Sequence, residues 1–210
     1  MTGSQYGFGF SKTRVTVSTV APSPEAVLRH ASSPSSSLNR ESKQGEAAER
    51  GSGSPHGLVS GAMLAWSVHA ADDATRKLLV PTTRHSMVEL REAFREALRS
   101  RPSRALRTLM VEVALMDGLN DSPEHAARLA EFLWPMISED RLKVCVNLIP
   151  FNPVQHQPLY RRPTPSAVAA FQDVLRARGV FTFVRTTHGD EEAAACGQLA
   201  TNHKRQKKGE

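Results

Sequence analysis

Leu106-Arg-Thr-Leu-Met-Val-Glu-Val-Ala-Leu-Met-Asp-Gly-Leu-Asn-Asp-Ser-Pro123 holds a strand, a turn and the start of a helix in one short stretch. Leu106–Met116 is a β-like run, and Asp117-Gly118 is turn chemistry. Ser122 is an N-cap residue, and Pro123 sits at the first helical position, where a missing N–H costs nothing. Leu129, Phe132, Leu133 and Met136 then recur at helical spacing and point inward. Leu142–Ile149 follows as a continuous apolar run, the pattern of a strand covered on both faces. A strand, a helix and a second strand in this rhythm make a crossover unit, so the two strands are expected to be parallel.

The same alternation extends both ways. Downstream, a loop with Pro150, Pro153, Pro158 and Pro163 leads to Thr164-Pro165, which opens a helix carrying Val168, Phe171, Val174 and Leu175. Gly179 ends that helix, and Val180–Arg185 reads as the last strand. Upstream, Ser86-Met-Val-Glu89 is a capping box for a helix to about Ser100, with Met87, Leu90, Phe94, Ala97 and Leu98 on one face. Leu64–Ala70 reads as a strand, Asp72 or Asp73 caps a short helix to Leu79, and Pro81 stops it. Val15–Thr19 is a β-branched strand. Ala31–Gly57 is rich in Ser, Gly, Glu and Arg with almost nothing to bury, and reads as a disordered insert. Four or five βα units make part of a barrel rather than a closed eight-fold one. The expected fold class is therefore α/β, a partial (β/α) barrel with open edges that more chain would normally cover.

Composition narrows the partners. The chain has 210 residues, 40% apolar and 23% charged, with a formal charge of +6. Its pI near 9.7 favours anionic partners, nucleic acid first. Part of that charge sits in the tail His203-Lys-Arg-Gln-Lys-Lys208, which reads as a solvated terminus. No apolar run is long enough for a membrane span, and no signal peptide is evident, so no membrane partner is expected. Two cysteines, Cys145 and Cys196, do not make a disulfide framework. A reducing compartment follows, the cytoplasm by default, with an organelle left open.

In βα folds, ligands gather at the carboxyl ends of the strands. That rule selects Ser18 and Thr19, Ser67 and His69, Asp117 and Asn120, and Asn152. Taken singly, each has a structural explanation as a turn or backbone partner. Their recurrence at one end of successive units points to a shared pocket of hydroxyl, imidazole and amide groups. Glu112, a carboxylate within a β-run, reads equally as a structural acceptor or as part of that pocket.

Five segments, in order, are similar to one known family. They are Tyr6-Gly-Phe-Gly-Phe-Ser-Lys-Thr-Arg-Val-Thr-Val-Ser-Thr19, Leu64-Ala-Trp-Ser-Val-His-Ala-Ala-Asp-Asp73 with Val80-Pro81, and Val111-Glu-Val-Ala-Leu-Met-Asp-Gly-Leu-Asn-Asp121. The last two are Asn147-Leu-Ile-Pro-Phe-Asn-Pro153 and His188-Gly-Asp-Glu-Glu-Ala-Ala-Ala-Cys-Gly-Gln-Leu-Ala200. Together they resemble the C-terminal half of the RlmN/Cfr family, radical-SAM enzymes that methylate adenine carbons in RNA. The resemblance runs from about residue 6 to 202, broken by the insert. It implies a partial barrel of radical-SAM type, truncated at its N-terminal side. The chain then divides into barrel start (1–30), insert (31–57), the rest of the barrel (58–186), a methyl-carrier cysteine loop (187–202) and a basic tail (203–210).

Carried over by position, the resemblance implies S-adenosylmethionine contacts at Ser18, Ser67, Val68, His69 and Asn152, and a methyl-carrying cysteine at Cys196. It implies a 4Fe–4S cluster as well, but the family's CxxxCxxC ligands are absent here, and no residue is assigned to metal. Cys145 lies in an apolar strand and reads as a small core residue rather than a reactive one. Departures from the family pattern are Val20-Ala21 for a usual Ser-Gly, Val68 for Leu, Phe151 for Trp and His188 for Arg. The implied activity is methylation of adenine carbon 2 in 23S-like rRNA, with tRNA as a further substrate and a missing N-terminal half or complementary polypeptide as partner. The alternative is a catalytically inactive remnant that binds S-adenosylmethionine or RNA, or a truncated gene product.

Overall fold

Parallel pairing fixes the architecture. The computed structural model describes residues 16–31, 62–82, 84–153 and 159–185. Its elements are β1 (Thr16–Thr19), α1 (Pro24–Ala31), β2 (Met63–Ser67), α2 (Asp73–Leu79), α3 (Met87–Arg99), β3 (Thr108–Leu115), α4 (Pro123–Ser138), β4 (Lys143–Pro150), α5 (Pro165–Ala177) and β5 (Phe181–Val184). The five strands form one sheet in the order β1-β2-β3-β4-β5, every neighbouring pair parallel. When strand order follows chain order and every crossover has the same right-handed sense, the helices fall on one face, as in a barrel wall.

The β3 side chains show this division. Leu109, Val111, Val113 and Leu115 are buried, whereas Met110, Glu112 and Ala114 alternate with them and are half-exposed. On the covered face Trp66 of β2 stacks on Phe94 of α3 at 4.5 Å and tilts against Phe132 of α4 at 5.8 Å. Leu64, Trp66, Val111, Val146 and Leu148 join helix residues Leu90, Phe94, Leu133 and Phe171 in one core cluster. Burying such side chains stabilises by roughly 1.5–3 kcal/mol each, so this layer holds the sheet in shape.

Local signals place the helices where the sequence predicts. Asp72 caps α2, and Ser86 with Glu89 makes the capping box of α3. Ser122 caps α4, and Thr164 caps α5. Gly179 follows α5 at φ +75°, the left-handed conformation that glycine adopts without a Cβ clash.

Several expectations need correction, and one element goes beyond them. The strand read as Leu64–Ala70 stops at Ser67, because His69 has φ +60° and cannot continue a ladder. The run read from Leu106 begins only at Thr108, as Arg101 takes the Leu106 carbonyl at 3.2 Å and turns occupy the residues before it. β4 is not sandwiched between helices: its apolar residues Val144, Val146 and Leu148 face the helices, while Cys145 lies half-buried on the other face. Cys145 is therefore not part of the helix-packed core, and burial raises its thiol pKa. Finally, α1 was not read from the sequence. Ser23 begins it, accepting from the Ala26 N–H at 3.2 Å, with Pro24 as its first residue. Ala31, read as the first residue of the 31–57 insert, instead closes α1; residues 32–57 of that insert, the 187–202 loop with Cys196 and the 203–210 tail lie outside the described residues.

Candidate ligand site at the carboxyl ends of the strands

The sheet face away from the helices carries a polar cluster assembled from three strands. Glu112 of β3 is the register partner of Ser67 in β2. Its Oε2 accepts hydrogen bonds from Ser18 Oγ of β1 at 2.9 Å and from Ser67 Oγ at 3.4 Å. The two serine hydroxyls are 3.5 Å apart. Residues far apart in sequence thus converge because parallel register brings the same end of each strand together. Glu112, left between two readings above, anchors this cluster.

Just past β2 the chain is held tightly. The N–H groups of Val68 and His69 both donate to the Glu112 carbonyl, at 2.9 and 3.4 Å. His69 Nδ1 accepts from the Ala114 N–H at 3.1 Å, which leaves the ring proton on Nε2 in the neutral form. Burial, reinforced by the nearby Arg76 charge and opposed by Glu112, lowers the His69 pKa to about 4. The imidazole is therefore neutral at physiological pH and offers one N–H donor.

Arg76 of α2, which the sequence reading passed over, locks the loops together. It is 1% exposed. Its guanidinium donates to the carbonyls of Ser67 at 2.8 Å, of Val68, and of Val20 at 2.6 Å. One side chain thereby joins the carboxyl ends of β1 and β2. Burial lowers its pKa to about 10, with Asp73 acting in the opposite sense, so it stays charged.

The structure sorts the other expected residues. Val68 is fully buried, its N–H given to Glu112 and its carbonyl to Arg76. Asn152 is half-buried two residues beyond β4, in a loop tied to β3 by the Phe151 N–H on the Leu115 carbonyl at 2.9 Å. Thr19 serves the turn after β1, its Oγ1 accepting from Ala21 N–H at 3.0 Å. Asn120 is structural. Its Nδ2 donates to the His69 and Ala114 carbonyls, both at 2.7 Å, and its Oδ1 accepts from Met116 N–H at 2.8 Å. Asp117 pairs at the surface with Arg161 at 3.5 Å. Asn147, also passed over, lies on the cluster's face as the register partner of Glu112.

Serine hydroxyls, a carboxylate, a neutral imidazole and an amide suit the hydroxyls, amine and purine edge of a nucleoside-bearing ligand. Among the described residues no group of three or more His, Cys, Asp or Glu is placed to hold a metal.

Curated proteins similar to this chain in sequence include several RlmN methyltransferases. The dual-specificity RNA methyltransferase RlmN of Sorangium cellulosum is 44% identical over 137 residues, covering 65% of this chain and 32% of that protein. RlmN of Marinobacter nauticus is 40% identical over 144 residues, covering 68% of this chain and 37% of that protein. In sequence, this chain is similar to the RlmN RNA methyltransferases over about two thirds of its length. A solved radical SAM methyltransferase from Sphaerobacter thermophilus superposes with a TM-score of 0.67 at 32% identity, covering 91% of this chain and 46% of that one. The chain thus spans about a third of the length of the RlmN relatives it matches. No family model matches it.

One backbone feature stands beside the cluster: Ala21 is fully buried and has φ +55°, a left-handed conformation held with a Cβ in place.

Proposed function

We propose that this chain forms the S-adenosylmethionine-binding and methyl-carrying part of a radical-SAM methyltransferase that modifies adenine carbon 2 in 23S-like rRNA, with tRNA as a further substrate. The observation that carries this reading is the cluster of Ser18, Ser67 and Glu112 beside a neutral His69 on the open face of the sheet, in a chain 44% identical to RlmN of Sorangium cellulosum over 137 residues. These residues fit a sulfonium nucleoside: hydroxyls and carboxylate for ribose and amine, the His69 N–H for an acceptor, and the Asn152 amide as a further polar group beyond β4. Val68, with its backbone groups engaged, serves by positioning its neighbours.

Cys196 is the methyl acceptor in this reading. Its thiolate attacks the sulfonium methyl, a sulfur–carbon bond forms as another breaks, and a neutral thioether remains. The small residues Ala193, Ala194, Ala195 and Gly197 leave room for cofactor and base to approach. A carbon relay is needed because adenine carbon 2 is electron-poor and does not displace a methyl from sulfonium by itself. The 4Fe–4S cluster that radical chemistry requires does not fit this chain, which has two cysteines. Another segment or polypeptide would hold it. The cytoplasm, or an organelle with its own ribosomes, is where such a substrate is met.

A second reading is binding without catalysis. One experiment separates the two. The chain is joined to the front half of the Sorangium relative, and methyladenine in rRNA is measured by mass spectrometry. The hybrid should methylate, and Cys196→Ser should abolish methylation by at least ~100-fold, the scale of losing a nucleophile. Undiminished methylation in the Cys196→Ser hybrid ends the methyl-carrier assignment, and a hybrid with no activity supports the binding-only reading.

A further inference from the structure

Asn147 sits in the middle of β4, between Val146 and Leu148, which are both fully buried on the helix face. Its own side chain belongs to the opposite face, in the register row Ser67, Glu112, Asn147, Phe183. The residue is 5% exposed, and its Oδ1 has no hydrogen-bond partner among the described residues. A buried acceptor without a donor destabilises a protein and calls for an explanation. Beside it, both serine hydroxyls go to Glu112 Oε2, which leaves Oε1 without either of them. Neighbouring strands lie about 4.8 Å apart, so two acceptors with unused capacity stand side by side on the face of the candidate site.

We infer that Asn147 Oδ1 and Glu112 Oε1 form a paired acceptor for donor groups of the bound nucleoside, and that Asn147 is a ligand-binding residue. The inference rests on the S-adenosylmethionine reading above and deepens it. The matching chemistry is two closely spaced donors, which a ribose diol or an α-ammonium group supplies. Its neighbours along β4 on the same face are Cys145 and Ile149, neither of which donates to Asn147 Oδ1, so packing alone does not ask for an amide.

The test uses the full 210-residue chain and calorimetric binding of two probes, S-adenosylhomocysteine and 5′-methylthioadenosine. The second probe keeps the diol and lacks the amino acid. Asn147→Leu should weaken S-adenosylhomocysteine about ten-fold or more, the scale of one lost hydrogen bond to a buried acceptor, while Asn147→Asp, which keeps an acceptor oxygen, should stay within about three-fold. A parallel loss for methylthioadenosine assigns the diol; a loss confined to S-adenosylhomocysteine assigns the ammonium. Either supports the inference. Without ligand, Asn147→Leu should melt about 2–4 °C higher, because an unpaired acceptor has been removed. A variant that melts lower or fails to fold gives the amide a structural role and overturns the inference. Unchanged affinity in Asn147→Leu also overturns it, and if Ser67→Ala still weakens binding, the wider reading of the site survives. Failure of the unmodified chain to bind either probe removes both together.

Discussion

At the scale of single residues, His69 and Ala21 show how a site is held in an improbable backbone. His69 combines φ +60° with a ring that accepts a main-chain N–H, and its pKa falls to about 4. The native state therefore resists a proton that the unfolded chain takes up below pH ~6.5. Stability from this residue is present at neutral pH and is lost as pH falls from about 6.5 towards 4. Between pH 7 and 5 the loss should be about 1–2 kcal/mol, allowing for partial solvent access. Urea unfolding at the two pH values should show His69→Gln losing that much less than the parent chain; parallel profiles contradict the assignment. Ala21 costs about 1–2 kcal/mol relative to an unstrained turn because its Cβ crowds the following carbonyl. That strain was not legible in the sequence, because φ is set by the loop and not by composition. Arg76 was likewise invisible: an arginine on a short helix looks like a solvated face until three carbonyls are found around it.

At the scale of elements, caps were the most legible feature and strand ends the least. A cap is a local contract between a side chain and a nearby N–H, so Ser86, Ser122 and Thr164 declare themselves within four residues. In α3, Ser86 Oγ accepts from Glu89 N–H at 3.2 Å, and Glu89 Oε2 accepts from Ser86 N–H at 2.8 Å. Ser86→Ala should cost about 1 kcal/mol and lower the melting temperature by roughly 2–4 °C, measured by circular dichroism; no change would show that packing of α3 alone sets its start. Strand ends depend on partners far away in sequence. β2 stops at Ser67 because the next two amides turn to Glu112 of β3, a contact no local pattern encodes. α1 was missed because it lies beside a low-complexity stretch, although Ser23-Pro24 carries the same signal that revealed α4 and α5.

At the scale of the whole molecule, parallel register does the assembling. Ser18, Ser67 and Glu112 come from strands separated by dozens of residues, yet the row-by-row pairing sets them within one hydrogen-bonded group. The rule that ligands gather at the carboxyl ends of strands selected Ser18, Ser67, His69 and Asn152, of which the fold joins Ser18 and Ser67 on Glu112; it also drew in Thr19 and Asn120, which hold turns, and Asp117, which pairs with Arg161. Asn147 lay in plain view as an amide within an apolar strand, a signal that periodicity alone treats as noise. At the far end of the sheet, Trp134, Ile137 and Gly179 line a separate apolar groove between α4 and α5. The most direct measurement is therefore where the cofactor lands. Methyl-labelled S-adenosylmethionine is photo-crosslinked to the chain and the adducts are mapped by mass spectrometry, with excess S-adenosylhomocysteine as competitor. Competable adducts on peptides holding residues 67–70 and 150–153 are the predicted result. Competable adducts on the α4–α5 groove, or none that the competitor displaces, contradict it.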